Sequence, residues 1–108
     1  MDQDQKLSQV TEFLKTLANY DRLRIIILLS QQGPMNVSAL IDELSLEQSI
    51  VSHCVIKMRD KGILVSWRRG KQTYYSLSDP TMVSILIPLL ERVELLQRLI
   101  LSYEAFYR

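Results

Sequence analysis

Cysteine, histidine, glycine and proline are all scarce in this sequence. Its 108 residues include one cysteine, one histidine, three glycines and three prolines. The single cysteine, Cys54, excludes an internal disulfide and any site built from several cysteines of one chain, and it suits a reducing compartment such as the cytoplasm. With His53 as the only histidine, a tetrahedral site of nitrogen and sulfur ligands cannot form within one subunit. We therefore predict a cytoplasmic protein that binds no metal and needs no cofactor.

The sequence also lacks a long uninterrupted apolar run and a strong net charge. Its most apolar segment, over 82–101, is broken by a proline and by several charged residues, which argues against a membrane-spanning helix. The N-terminus, MDQDQKLSQV, is polar and lacks the apolar core of a secretory signal. Because the formal net charge is only +1, binding to a polyanion must depend on a local group of cations.

The cations are concentrated in one segment of the chain. Between Lys57 and Lys71, six basic residues accompany a single acid, Asp60. The segment contains the stretch SWRRGKQTYYSL, which predicts a β-hairpin over about 63–77 because β-forming residues alternate on both sides of Gly70. Gly70 can take the positive φ that a tight hairpin turn requires. The tip of this hairpin carries three cations: Arg68, Arg69 and Lys71.

The alternation also predicts which hairpin residues face the core. On the first strand the apolar residues with a period of two are Ile63, Val65 and Trp67, so we expect these side chains on the buried face. Trp67 in particular is expected to pack inside the base of the hairpin.

Helical periodicity covers most of the remaining chain. The first helix is expected over about 6–18, and the second over about 20–31 between an N-cap at Asn19 and a stop at Gly33. Asn36 is expected to cap a short third helix.

A fourth helix is expected over about 48–61, ended by Gly62. Asp79 and Pro80 have the residue types of an N-cap and a first helical position, and they predict a long last helix over about 80–106. Pro88 is expected to kink this helix because it lacks the backbone donor and clashes with the preceding turn. The chain is thus expected to be one domain, mainly α with one β-hairpin.

The third and fourth helices, over about 36–61, are joined by a turn of about three residues, which matches the helix-turn-helix motif. A projection at 100° per residue buries one stripe of the fourth helix, formed by Val51, Cys54, Val55 and Met58. The exposed side carries residues that can contact base edges, phosphates or a thymine methyl group. We assign DNA contacts on this helix to Gln48, Ser49, Ser52, His53, Ile56 and Lys57.

A solvated helix face is the alternative interpretation of these exposed residues. The cationic hairpin that follows directly favours DNA binding, because a presented helix followed by such a hairpin is a winged helix-turn-helix arrangement. In this arrangement Arg68, Arg69 and Lys71 neutralise phosphates of double-stranded DNA and give affinity rather than sequence choice.

The last helix is apolar on nearly every side, which predicts burial on every side. A small domain can cover one face, and a second copy of the chain most simply covers the other, with help from the first helix. A monomer whose core takes up all these residues is the alternative. We assign the dimer interface to Leu7, Val10, Leu14, Leu86, Leu90, Val93, Leu96 and Ile100.

Four short motifs resemble the ArsR/SmtB-type bacterial transcriptional regulators over roughly two-thirds of the chain. They are LAN before RLRI within 17–25, QSIVSH at 48–53, RDKGIL at 59–64 and YYSL at 74–77. The resemblance implies a homodimer that binds a palindromic operator and usually represses transcription, with the first and last helices forming the interface. It also implies that Gln48, Ser49, Ser52 and His53 face the DNA groove.

The sequence departs from the metal sensors of that family. Classical members carry a Cys-x-Cys pair in the third helix, where this chain has Asn36 and Ser38, and others use histidine on the last helix, where this chain has none. Metal sensing of the usual kinds is therefore not expected, and the sequence does not identify a small-molecule effector. Glu47 also replaces the usual capping serine, and Ile56 stands where a lysine is common.

Catalysis and protein binding are the other functions that the sequence suggests. Ser52, His53 and Cys54 include the residue types of a nucleophile and a base, but consecutive helical residues point about 100° apart and cannot hydrogen-bond in that way. We therefore predict no enzymatic activity. A winged-helix module for protein-protein interaction is the main alternative, with Ile56 and Trp67 as its apolar contact patch.

Overall fold

Six helices and three short strands follow one another over residues 1–107, which the computed structural model describes. The helices are α1 (Gln3–Leu17), α2 (Tyr20–Gln32), α3 (Val37–Leu44), α4 (Gln48–Asp60), α5 (Pro80–Val83) and α6 (Leu86–Tyr107). The strands are β1 (Met35–Asn36), β2 (Leu64–Arg69) and β3 (Gln72–Leu77). They form one antiparallel sheet in the order β1-β3-β2.

Side-chain caps define where several helices begin. The side chains of Asn19, Asn36 and Asp79 accept hydrogen bonds from backbone N–H groups in the first turns of α2, α3 and α5, which confirms the three predicted caps. The first helix begins earlier than expected because Asp2 and Gln5 form a capping box. Each such cap typically stabilises a helix by about 1 kcal/mol.

Strand β1 was not predicted from the sequence. It contains only two residues, too few to show any periodicity, and it pairs with β3 through Met35 opposite Tyr75 and Asn36 opposite Tyr74. Both Met35 and Tyr75 are buried. This pairing fastens the start of α3 directly to the hairpin.

The prediction that Val65 and Trp67 lie on the buried face of the hairpin is wrong. Val65 is 47% exposed and Trp67 is 41% exposed. The side chain of Ile63 is buried before the strand begins, and Leu64 then takes the first inward position of β2 opposite Leu77. On β2 the even-numbered residues from Leu64 therefore face inward, instead of the odd-numbered residues that the alternation predicted.

Trp67 therefore packs on the outer face of the hairpin rather than inside its base. It lies opposite Tyr74, and the two rings stack with centroids 6.1 Å apart and planes 14° apart. At the tip, Gly70 has the expected positive φ of 64°. Gly70 and Lys71 together close a two-residue turn between Arg69 and Gln72.

The expected continuous last helix is interrupted one turn before Pro88. Helix α5 ends at Val83, Ser84 and Ile85 form a turn, and α6 begins at Leu86. A proline ring clashes with the carbonyl four residues earlier, which here belongs to Ser84. Pro88 itself lies in the first turn of α6, where a missing N–H has no intrahelical acceptor to lose. The outcome is a break between two helices instead of a kink within one.

The core lies where α2, α3, α4 and the sheet meet. Burying each of its large side chains typically contributes about 1.5–3 kcal/mol. The side chains with almost no exposure are Ile25, Ile26, Leu40, Val51, Val55, Met58 and Leu64. This core holds α4 at a fixed orientation relative to the hairpin.

Candidate nucleic-acid interface

A tight turn of Ser45, Leu46 and Glu47 connects α3 to α4. Ser45 adopts a left-handed conformation with φ of 52°, which ends α3 sharply. Glu47, which replaces the usual capping serine, is the N-cap of α4, but its side chain makes no capping hydrogen bond. Arg24 of α2 supports the turn, because its Nη2 donates to the carbonyl oxygen of Leu44 at 2.9 Å.

The inner face of α4 is the one predicted from its periodicity. Val51, Cys54, Val55 and Met58 are all buried in the core, which confirms this stripe. Because these four side chains fix the rotation of α4 about its own axis, the positions of its outward side chains are fixed as well.

The residues of α4 assigned to DNA contact lie on the outward side of the helix. Gln48, Ser49, His53 and Lys57 are exposed, whereas Ser52 is partly buried. Ile56 is an apolar side chain with 43% exposure in the middle of this polar surface. The surface combines hydrogen-bonding groups with one aliphatic group, as contacts to base edges and thymine methyl groups require.

Cys54 is unsuited to surface chemistry. Its side chain is only 5% exposed. Burial raises the pKa of the Cys54 thiol, and the nearby negative charge of Asp21 raises it further, while Arg22 acts in the opposite direction. The reactive thiolate is therefore disfavoured. Cys54 lies in the core, whereas the neighbouring His53 is exposed, so these two side chains do not share a site.

The wing, defined here as the hairpin of β2 and β3, presents its cations at the tip. Arg68, Arg69 and Lys71 are all exposed. Within residues 1–107, none of the three forms an ion pair with a carboxylate. Their charges are therefore available to an external anion.

The residues assigned to a dimer interface lie mostly on open surfaces of α1 and α6. Leu86 is partly buried, and the other members are exposed in the single chain. They are Leu7, Val10, Leu14, Leu90, Val93, Leu96 and Ile100. Large exposed apolar surfaces mark interaction sites in soluble proteins.

Further cations not assigned from the sequence lie beside the C-terminal half of α4. Lys15 of α1, Arg22 of α2 and Lys61, which follows α4, line one cavity of about 180 Å³ together with Lys57. Lys15 and Arg22 are distant in sequence from the basic segment, so only the packing of α1 and α2 against α4 brings them together. A sequence pattern gives no signal for this proximity.

Residues 1–107 contain neither a metal-binding cluster nor a membrane-spanning helix. No group of three or more histidine, cysteine, aspartate and glutamate side chains in this range has an arrangement suitable for a metal ion. Within the same residues, no helix combines the length and the apolar composition needed to cross a bilayer.

Sequence comparisons connect this chain to bacterial regulators. Residues 19–66 match a family model described as bacterial regulatory protein, arsR family. The chain is 39% identical over 80 residues to the transcriptional repressor PagR of Bacillus anthracis, a match that covers 74% of this chain and 80% of PagR. It is 37% identical over 82 residues to the HTH-type transcriptional regulator NmtR of Mycobacterium tuberculosis, which covers 76% of this chain and 68% of NmtR.

Structural comparisons give the same result. The crystal structure of PagR matches with a TM-score of 0.72 at 37% identity, over 81% of this chain and 99% of the PagR chain. A homodimeric winged helix-turn-helix DNA-binding domain from Mycobacterium bovis, solved by NMR, matches with a TM-score of 0.70 at 28% identity. That match covers 87% of this chain and 86% of the Mycobacterium bovis domain.

Proposed function

This chain belongs to the arsR family of bacterial regulatory proteins and is a winged helix-turn-helix transcriptional regulator, and we propose that it represses transcription as a homodimer bound to a palindromic operator. PagR is a transcriptional repressor, and the Mycobacterium bovis domain is homodimeric. Both relatives support extending these properties to this chain.

The observation that carries the proposal is the juxtaposition of α4 with the wing. Four buried side chains anchor α4 and leave a polar surface outward, and the hairpin that follows directly projects cations without ion-pair partners among the described residues. An α-helix of this kind fits the major groove of B-DNA, and a cationic hairpin beside it can follow the phosphates.

The two parts have different tasks in this proposal. The exposed side chains of α4, including Ser49, Ser52 and His53, contact base edges and select the sequence. The wing cations Arg68 and Arg69 contact phosphates, which are the same in every sequence, and supply salt-dependent affinity.

Dimerisation supplies the operator geometry. The exposed apolar residues of α1 and α6 pack against the same surfaces of a second copy, as expected for a two-fold symmetric interface. A helix-turn-helix dimer places its two recognition helices roughly 34 Å apart, about one turn of the duplex. A palindromic site with that spacing therefore binds both protomers at once.

The proposal also includes an absence of catalysis and a location with the chromosome in the cytoplasm. The separation of buried Cys54 from exposed His53 supports the first statement, and the DNA ligand supports the second. Among the described residues, no group identifies a metal or small-molecule effector.

A protein-interaction module is the second candidate function. The outer face of the wing carries the stacked pair of Trp67 and Tyr74 next to Val65, and both Val65 and Trp67 are more than 40% exposed. Such a patch can dock a protein partner. In that case substitution of Arg68 and Arg69 leaves the main binding activity intact.

Fluorescence anisotropy with a salt titration tests the proposal. The native probe is a labelled duplex from the region upstream of the protein's own gene, and the control is a scrambled duplex of equal length. We expect tighter binding to the native duplex and a steep loss of affinity with salt. The absence of binding to either duplex at low salt would overturn the proposal and favour the protein-interaction module.

Two matched variants assign the tasks of α4 and the wing. Arg68→Glu with Arg69→Glu is expected to weaken binding to both duplexes and to flatten the salt dependence. His53→Ala is expected to reduce the preference for the native duplex by about 1–3 kcal/mol, the usual range for a base contact. Equal losses on the native and scrambled duplexes for His53→Ala would refute the assignment of the reading surface.

A further inference from the structure

The chain carries a second group of cations that is separate from the wing tip: Lys15, Arg22, Lys57 and Lys61. We propose that this junction cluster, named for its position where α1 and α2 meet the end of α4, binds the phosphate backbone of the operator as a second anchoring site. The inference rests on the proposed DNA-binding function and adds Lys15, Arg22 and Lys61 to its contact residues.

Three elements of the chain bring these four cations together. Lys15 is in the last turn of α1 and Arg22 is in the first turn of α2. Lys57 and Lys61 are four residues apart at the end of α4, a spacing that places two side chains on the same side of a helix. All four side chains line one cavity of about 180 Å³.

The positive charge of the junction cluster is only partly neutralised within the chain. Glu12 also lines the cavity and pairs with Lys15 at 3.6 Å, but these two side chains are 54% and 70% exposed, so this pair is weak. Arg22, Lys57 and Lys61 form no ion pair within residues 1–107. Four cations and one carboxylate leave an excess of positive charge at this place.

Arg22 is held in position by the backbone. Its Nε donates to the carbonyl oxygen of Thr16, and Thr16 itself is buried with 3% exposure. A planar guanidinium fixed in this way retains its Nη groups, which in the described part of the chain donate to no protein acceptor. Guanidinium groups bind phosphate oxygens in two-pronged geometry.

The junction cluster continues the reading surface of α4. A shallow cavity next to it is lined by His53, Ile56, Lys57, Asp60 and Lys61. The first residues of a recognition helix enter the groove. A straight helix cannot follow the curved groove along its whole length, so its far end comes close to the phosphates. The cations at the far end of α4 are therefore placed where a backbone passes.

The junction cluster and the wing tip are different sites on the same body. The base of the hairpin is fixed to the end of α4, since the N–H of Ile63 donates to the carbonyl oxygen of Met58 at 2.9 Å. Strand β2 then extends from Leu64 to Arg69, a length of roughly 17 Å at about 3.3 Å per residue. Two cationic sites separated in this way can contact two stretches of backbone.

Neutralising two lysines tests the inference without disturbing the core. Lys15→Gln with Lys61→Gln leaves Arg22 and the reading surface unchanged. We expect weaker binding to native and scrambled duplexes alike. The slope of log K against log salt is expected to fall by roughly 0.9 for each phosphate that the protein no longer neutralises, up to about 3.6 for the four lysines of a dimer. Thermal unfolding of the variant is measured alongside.

Two further variants complete the design. Lys6→Gln removes a lysine from the same helix as Lys15, nine residues earlier and outside the cavity, and is expected to change affinity less than about twofold, as a distant screened charge does. Glu12→Gln removes the carboxylate of the cavity and is expected to tighten binding to both duplexes several-fold.

The outcomes separate this inference from the proposed function. If the unmodified protein binds neither duplex, the proposed function fails and the inference fails with it. Suppose that the unmodified protein binds and that the Arg68→Glu, Arg69→Glu variant loses affinity. If the Lys15→Gln, Lys61→Gln variant then keeps the slope of log K against log salt of the unmodified protein, only the junction cluster is refuted. Reduced thermal stability of the lysine variant with an unchanged salt slope would likewise refute it, because Lys15 and Lys61 would then only stabilise the C-terminal ends of α1 and α4 through the helix dipoles.

Discussion

The central body of the molecule, formed by α2–α4 and the sheet, buries its own apolar residues, whereas α1 and α6 leave theirs exposed. Leu40, Val51 and Val55 have no measurable exposure, but Leu90 and Val93 are more than half exposed. The same kinds of side chain are thus used in two ways. The central body is complete within one chain, whereas in the proposed dimer a second chain covers the outer helices.

The largest expected effect comes from placing charges on the exposed surface of α6. Leu90→Glu with Val93→Glu puts carboxylates in the proposed interface, where burying unpaired charges costs several kcal/mol. We expect a monomer in sedimentation velocity, with operator affinity lower by about 10²- to 10⁴-fold because the two half-sites are no longer linked.

A variant on another side of α6 controls for the change of charge. Arg98→Glu alters the net charge by the same two units, but at 100° per residue it points away from Val93, Leu96 and Ile100 on the helix. It is expected to remain dimeric. A double variant that sediments as a dimer, or an Arg98→Glu variant that does not, would contradict the assigned interface.

The next largest effect is expected in the central body. Leu40→Ala removes a side chain with 0% exposure and is expected to lower the free energy of unfolding by about 2–5 kcal/mol in urea titrations. Ile56→Ala, on the exposed side of α4, is the control and is expected to change it by less than about 0.5 kcal/mol.

The Leu40→Ala experiment also tests the independence of the central body. Leu40→Ala is expected to lower the free energy of unfolding by the same amount in the native protein and in the monomeric Leu90→Glu, Val93→Glu variant, because substitutions at distant sites have additive effects. A different cost in the two backgrounds would show that the central body depends on the dimer.

A smaller effect is expected at the start of α3. Asn36→Ala removes the side-chain oxygen that accepts from the N–H of Ala39 at 2.8 Å and is expected to cost about 1 kcal/mol. Ser38→Ala is the control, because Ser38 is exposed on the same helix and its substitution leaves the capping bond of Asn36 in place. If urea titrations give the two variants equal stability, the capping bond does not stabilise the central body.

The smallest effect is expected from the thiol of Cys54. Burial is the main cause that raises its pKa above the ordinary value of a cysteine, so folding favours the neutral thiol. The corresponding stabilisation is fully present below the pKa of the unfolded chain and is lost as pH rises through the higher pKa of the folded chain. As pH rises into the alkaline range, the unfolding free energy of the native protein is therefore expected to fall relative to that of the Cys54→Ala variant. An unchanged difference would contradict the raised pKa.

The helices were predictable because their signals are local. The caps at Asn19 and Asn36 and the buried stripe of α4 follow from residue type and spacing within a few positions. The face of β2 was predicted incorrectly because Ile63 has the residue type of a strand position but lies in the turn before it. The true phase depends on the pairing of Leu64 with Leu77, which is not visible in a single strand.

The parts that the sequence did not reveal depend on distant contacts. Strand β1 exists because Met35 meets Tyr75, forty residues later. The junction cluster exists because Lys15 and Arg22 pack near Lys61. The residues of the wing tip, by contrast, were assigned from the sequence because they are neighbours in the chain.

The short pairing of β1 with β3 affects how such a regulator can diversify. Because it fastens α3 to the wing, the groove-reading parts keep one relative arrangement within each protomer. In the proposed dimer, the distance between the reading parts of two protomers is set elsewhere, by α1 and α6. Substitutions in those outer helices can therefore alter the half-site spacing that is accepted while leaving the bases that are read unchanged, so the two properties of an operator can evolve separately.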